Sequence, residues 1–159
     1  MDPLQELLEI EAIKQLKYRY IRAIDEKLWD QMEECFTEDA TSSYSGGKYA
    51  FEGRDAIMQF LTESMDRDSF LSSHRVHHPE IELQGESNAT GIWALDDYVI
   101  DTKHELTIHG AAFYRDEYVK VDGDWKIKHT GYERTFEQMK PRKDEGWNIT
   151  QRGFGEGSS

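Results

Sequence analysis

The chain has 159 residues, with 32 acidic against 19 basic side chains and a formal net charge of −13. That length suits a single domain with a sizeable core. The charge argues against nucleic acid and an anionic membrane surface as partners, since both need a basic footprint.

The N-terminus, Met1-Asp2-Pro3-Leu4-Gln5-Glu6, is acidic and amphipathic, unlike a secretory signal. From Leu4 to about Glu26 apolar residues recur at steps of three and four (Leu7, Leu8, Ile13, Leu16, Tyr20, Ile24), which predicts an amphipathic helix. Asp25 falls at the edge of that stripe, where a carboxylate either reaches the core side or stays solvated at a helix end. Lys27–Phe36 reads as a second, short helix. The one cysteine, Cys35, lies there among acidic neighbours that disfavour a thiolate. It cannot form an intrachain disulfide, which fits a cytoplasmic setting. Ala40–Phe51 alternates around Ser45-Gly46-Gly47 and predicts a hairpin. Gly53–Leu61 returns to helical spacing, and Asp66–Ser69 ends it.

Beyond this point the sequence has strand character. Four runs are expected: His74–Leu83, Ala89–Thr102, Leu106–Val121 and Trp125–Phe136, the last two joined by the hairpin dipeptide Asp122-Gly123. Helices followed by a long meander mean α+β, with helices on one face of a curved sheet. The domain is expected to span 1–136, and the polar, Gly-rich 137–159 to form an extended tail. No apolar run approaches the roughly 20 residues of a membrane span.

The stretch His74-Arg75-Val76-His77-His78-Pro79 holds three of the six histidines. If the chain curls as expected, one imidazole meets Asp25, and an Asp–His pair inside an apolar cup is a general base. In a regular strand His74 shares a face with Ser72, Val76 and His78, while His77 points the other way. The three are therefore not spaced as metal ligands, and no metal is expected. On the next strand Asp97 shares a face with Trp93, Leu95 and Val99. Such a carboxylate is either a proton donor or a structural group paired with arginine. Tyr18, Tyr20, Tyr44, Tyr98, Tyr114, Tyr118 and Tyr132 are all donors able to hold a developing oxyanion in a dry pocket, though each alone more often serves core or interface. Gly110-Ala111-Ala112 leaves room on the sheet for a flat ligand or a close-packed subunit. No phosphate-binding glycine loop and no Gly-x-Ser-x-Gly occurs, so nucleotide cofactors have no support.

The segments Tyr20-Ile21-Arg22-Ala23-Ile24-Asp25, Phe51-Glu52-Gly53-Arg54-Asp55-Ala56-Ile57 and Tyr118-Val119-Lys120-Val121-Asp122-Gly123-Asp124-Trp125-Lys126-Ile127 resemble the SnoaL-like branch of the NTF2-like superfamily. A narrower likeness is to the bile acid 7α-dehydratases. It rests on Ile10–Lys17, Thr41–Lys48, His74-x-x-His77-x-Pro79-Glu80-Ile81 and Gly110–Tyr114. The resemblance implies a cone of N-terminal helices packed on a curved, mostly antiparallel sheet enclosing a cavity. It implies Tyr20, Asp25, His74 and Asp97 as catalytic residues and Tyr44 in the substrate site. Trp93, on the face of Asp97, is expected there too. It further implies a homotrimer and a dehydratase without metal or organic cofactor. The substrate would be a hydroxylated 3-oxo-4-ene steroid acid or similar polycyclic ketone, as free acid or coenzyme A thioester. Arg54, Lys48, Arg142 and Lys143 are the cations that would have to gather for the thioester. Two other readings suit the scaffold: a ketosteroid-isomerase- or polyketide-cyclase-like enzyme, and a non-catalytic small-ligand-binding protein. The non-catalytic reading requires a filled cavity and no contact between His74 and Asp25.

Overall fold

Helix α1 (Pro3–Glu26) starts where the Asp2 side chain accepts the Gln5 N–H at 3.0 Å and Pro3 takes the first helical position. It ends at Lys27, with φ of 58°, where the Leu28 N–H reaches back to the Ala23 carbonyl at 2.9 Å. Ile13, Leu16, Tyr20 and Ile24 are buried along one stripe. Leu4, Leu7 and Leu8 continue the periodicity but stay exposed, because the buried stripe begins only at Glu9.

The structure, a computed structural model, describes residues 1–143 and 146–153. After α1 come α2 (Trp29–Glu34), β1 (Phe36–Tyr44), β2 (Tyr49–Glu52) and α3 (Arg54–Met65). The long strands β3 (Phe70–Leu83), β4 (Asn88–Asp101), β5 (Leu106–Val121) and β6 (Asp124–Pro141) follow. The order across the sheet is β2-β1-β6-β5-β4-β3. All neighbours are antiparallel except β1 and β6, which run parallel. That pairing depends on Gly131, where a Cβ would sit 2.5 Å from the Ser43 carbonyl oxygen.

Strand β4 alternates as its sequence predicts: Ala89, Gly91, Trp93, Leu95, Asp97 and Val99 are buried on one face. Each large side chain buried on that face stabilises the fold by about 1.5–3 kcal/mol. Strand β3 is not regular. Its register against β4 slips between His77 and Glu80, and His78 has a φ of 32°. One extra residue there reverses the alternation. Ile81 and Leu83 thereby join His74 and Val76 on the inner side, opposite Gly91 and Ala89.

Three boundaries differ from those expected. Phe36 opens a strand rather than closing a helix. Strand β3 begins at Phe70. Strand β6 passes the expected domain end at residue 136 and runs to Pro141, pairing Glu137–Pro141 with Gly110–Leu106. Those added residues are polar or exposed, and their backbone ladder rather than any side-chain pattern makes them strand. Of the expected tail, residues 144–145 and 154–159 lie outside the described residues.

Candidate active site

Asp25 occupies the last turn of α1, where the helix dipole disfavours a negative charge. Three donors from β3 hold it there. The Ser72 hydroxyl donates to Oδ1 at 2.8 Å, the His74 backbone N–H to Oδ2 at 2.8 Å, and His74 Nδ1 lies 2.7 Å from Oδ1. The Arg75 guanidinium stands 3.6 Å from Oδ2. A carboxylate only accepts, so Nδ1 carries a proton, and in the neutral imidazole the lone pair is on Nε2. His74 itself is buried. The pair expected from the sequence is thus assembled from elements 49 residues apart in the chain.

His74 lines a cavity of about 310 Å³ together with Tyr20, Ile24, Tyr44, Tyr49, Phe60, Leu61, Ser64, Met65, Tyr114 and Tyr132. The wall is aromatic and largely apolar. Phe60 stacks on Tyr44, Tyr49 and Phe51 with ring centroids 5.9, 5.4 and 4.5 Å away. The hydroxyls of Tyr20 and Tyr44 are 3.4 Å apart. Burial raises the pKa of the Tyr20, Tyr44 and Tyr114 phenols above the ordinary tyrosine value, so all three stay neutral donors.

Two expected site residues lie elsewhere. Asp97 is directly opposite His74 in the β3–β4 register and is buried, but Arg134 of β6 takes both of its oxygens. The Nη2 bond is 3.0 Å long, and Arg134 also lies 5.0 Å from the Tyr132 ring centroid. Asp97 is not among the residues lining the cavity. Of the two readings open for it, the structure has the arginine-paired one. Trp93 donates its indole N–H to the Tyr118 hydroxyl at 2.9 Å and packs edge-on against Tyr18. It does not line the cavity, because its face of β4 meets α1 at that level.

Arg134 is the residue sequence reasoning missed. Its signal would have been Gly110, where a Cβ would come 2.5 Å from the Arg134 guanidinium. Above Gly110 the space expected for a ligand is filled by that side chain. His77 and His78 are exposed, and no cluster of metal-ligating side chains occurs among the described residues. Of the cations considered for a thioester, Arg54 stands near Glu33 at 3.9 Å and Arg142 donates to Thr107 at 2.8 Å. Neither lines the cavity. Burial is the main cause of the raised pKa of the Cys35 thiol, ahead of its acidic neighbours. Among the described residues no helix is long and apolar enough to cross a membrane.

Residues 5–131 match the family model of the SnoaL-like domain. The chain belongs to that family. A candidate scytalone dehydratase from Novosphingobium aromaticivorans is 26% identical, with a TM-score of 0.78 over 84% of this chain and 88% of that one. A hexachlorocyclohexane dehydrochlorinase from Novosphingobium barchaimii is 16% identical, with a TM-score of 0.81 over 95% and 100%. An uncharacterised protein of Mycobacterium tuberculosis is 23% identical over 80% of this chain and 86% of its own. The open, curved sheet of this SnoaL-like domain, with helices packed on one side, is the NTF2-like cone. Dehydratase-type neighbours fit a family of small-ligand lyases and isomerases.

Proposed function

We propose that this SnoaL-like protein is a lyase that eliminates water from a hydroxylated cyclic ketone, with His74 as its base. The observation that carries the reading is the Asp25–His74 pair on the wall of an apolar cavity equipped with neutral phenols. His74 Nε2 removes a proton from carbon made acidic by the conjugated ketone. The electron pair moves toward the carbonyl oxygen, and Tyr20, Tyr44 and Tyr114 supply donors for that oxygen. As the enolate collapses, the C–O bond breaks. The imidazolium returns its proton to the departing hydroxyl, and water leaves. Asp25 fixes the imidazole tautomer throughout.

The substrate class is a 3-oxo-4-ene steroid acid with a 7-hydroxyl, in the manner of a bile acid 7α-dehydratase, or a smaller polycyclic ketone. A cavity of about 310 Å³ is at the lower end for ligand sites. A steroid would seat its reacting rings and project its side chain, free or as a thioester, through the mouth. The active form is a homotrimer. Phe113 and Phe136, exposed on the outer sheet face, give an apolar surface for subunit contact.

One observation favours a second reading. With Asp97 closed by Arg134, no separate acid stands ready for a leaving hydroxyl, and proton transfer without loss of water, as in a ketosteroid isomerase, needs none. The open cavity and the 2.7 Å His74–Asp25 contact run against the non-catalytic reading.

The test is spectrophotometric. A 7α-hydroxy-3-oxo-4-ene steroid acid, free and as its thioester, is offered beside a hydroxylated bicyclic ketone and a 5-ene-3-oxo steroid. Growth of the long-wavelength dienone band, abolished by His74→Ala and Asp25→Asn, supports the lyase. Conversion of the 5-ene alone selects the isomerase. Silence with all of them removes both.

A further inference from the structure

Behind the tyrosine wall lies an ion pair that this chemistry does not use. Lys17 of α1 is wholly buried and donates to Asp116 of β5 at 2.6 Å. Asp116 also accepts the Tyr118 hydroxyl at 2.7 Å and the Thr130 hydroxyl at 2.7 Å, and Tyr118 accepts the Trp93 indole. Removing both charges from water costs as much as their attraction returns, and an apolar pair of equal volume would serve stability as well. What the pair touches is therefore informative. The Lys17 ammonium lies 3.5 Å from the ring centroid of Tyr114 and 4.6 Å from that of Tyr20. These are two of the phenols that line the cavity beside His74, and their rings meet edge to face at 6.2 Å.

We propose that Lys17, held by Asp116, is a positioning residue that acts through the rings of Tyr114 and Tyr20 and makes their hydroxyls stronger donors to an oxyanion in the cavity. The inference rests on the reading of those hydroxyls as the oxyanion's donors. A cation against an aromatic face draws density out of the ring. Both side chains of the pair are fully buried, where the low local dielectric weakens the effect least. Asp116 accepts from Lys17, Tyr118 and Thr130, and it is the ammonium that lies directly against the faces of the two rings. The titratable groups around Lys17 are Asp116 and Tyr114 from β5, Tyr20 from its own helix and the Cys35 thiol after α2.

The probe is 4-nitrophenol, whose ionisation in the cavity is read by absorbance against pH, without any catalysis. Wild type, Lys17→Met/Asp116→Asn and Tyr118→Phe are compared after circular dichroism has checked their folds. The double variant should ionise the bound phenol at a pH higher by about half a unit or more, roughly a threefold change in the ratio of ionised to neutral phenol. Tyr118→Phe, which disturbs the same polar chain without touching the cation, should titrate with wild type. A double variant that matches wild type overturns the inference and leaves the phenol donors standing. An equal displacement in Tyr118→Phe also overturns it, since general loosening would then suffice. If the double variant does not fold, Tyr114→Phe carries the test: the ring stays over the ammonium, the donor goes, and an unmoved titration sinks the proposal. Failure of wild type to bind 4-nitrophenol removes the oxyanion site and this inference with it.

Discussion

Asp25 does three things with two oxygens: it accepts the Ser72 hydroxyl, the His74 backbone N–H and the His74 ring. The first two bonds fix where the carboxylate sits, and the third fixes which ring nitrogen is free. Asp25→Asn keeps the shape and an acceptor oxygen but can turn an amide N–H toward Nδ1. The imidazole then moves its proton to Nε2, and the base faces the cavity already protonated. Turnover of whichever ketone proves active should fall by about 10²–10⁴-fold, while ligand affinity changes little. Ser72→Ala leaves the ring bond in place, so its loss should stay below about tenfold. The tautomer can be read without a substrate from ¹⁵N shifts of the His74 ring. Nδ1 should carry the proton in wild type and Nε2 in Asp25→Asn. An unchanged spectrum would separate Asp25 from the tautomer and leave it a structural role only.

Strand β5 owes its close contact with β6 to Gly110. A Cβ there meets Arg134 Nη1 at 2.5 Å and the Phe136 carbonyl oxygen at 3.1 Å. Gly110→Ala should push the guanidinium off Asp97 and lower stability by about 1–3 kcal/mol, the range for overpacking. Because the displaced arginine leaves a buried carboxylate behind, the loss should exceed that of the exposed Phe113→Ala nearby, measured by urea unfolding. Equal losses would mean that the Asp97–Arg134 pair contributes little. The same strands mark how far the sequence could be read. Helix α1 and the alternation of β4 were legible as local patterns of apolar residues, and the Asp122-Gly123 hairpin from a dipeptide suited to positive φ. The Asp25–His74 pair was legible only in part: spacing left Asp25 either core-facing or solvated and did not say which imidazole meets it, and the family resemblance singled out His74. The last residues of β6 were not legible, since they are strand only through backbone bonds to β5. Nor were Arg134 with Asp97 and Lys17 with Asp116, whose partners lie 37 and 99 residues away. Long-range polar pairs carry no periodicity, and a charge looks solvated until its partner is found.

At the scale of the whole molecule, a net charge of −13 strains the fold by self-repulsion, which acidification relieves. Asp101 works in the opposite sense. It closes the base of the sheet by accepting Arg67 at 3.0 and 2.7 Å, His104 Nδ1 at 2.9 Å and the backbone N–H groups of Lys103 and His104. The carbonyl of Arg67 in turn accepts Lys27 from the end of α1 at 2.6 Å. One carboxylate thus ties together the α3–β3 loop, the β4–β5 turn and the first helix. The hydrogen-bonded Arg67 guanidinium, aided by His104, holds the Asp101 carboxyl far below the ordinary carboxylate range. A depressed folded pKa gives stability that is complete above the unfolded value near 4 and is lost as the pH falls toward the folded one. Asp101→Asn should therefore be less stable than wild type at pH 7 by about 1.5–3 kcal/mol. The gap should narrow steadily below about pH 4, because only wild type has this charge to lose. Relief of self-repulsion is nearly common to both proteins and cancels in the difference. Urea midpoints at pH 7, 4, 3 and 2 give the comparison. A gap that stays constant to pH 2 would mean that Asp101 acts by shape and neutral hydrogen bonding, and that the charge of its carboxylate is not what holds these elements together.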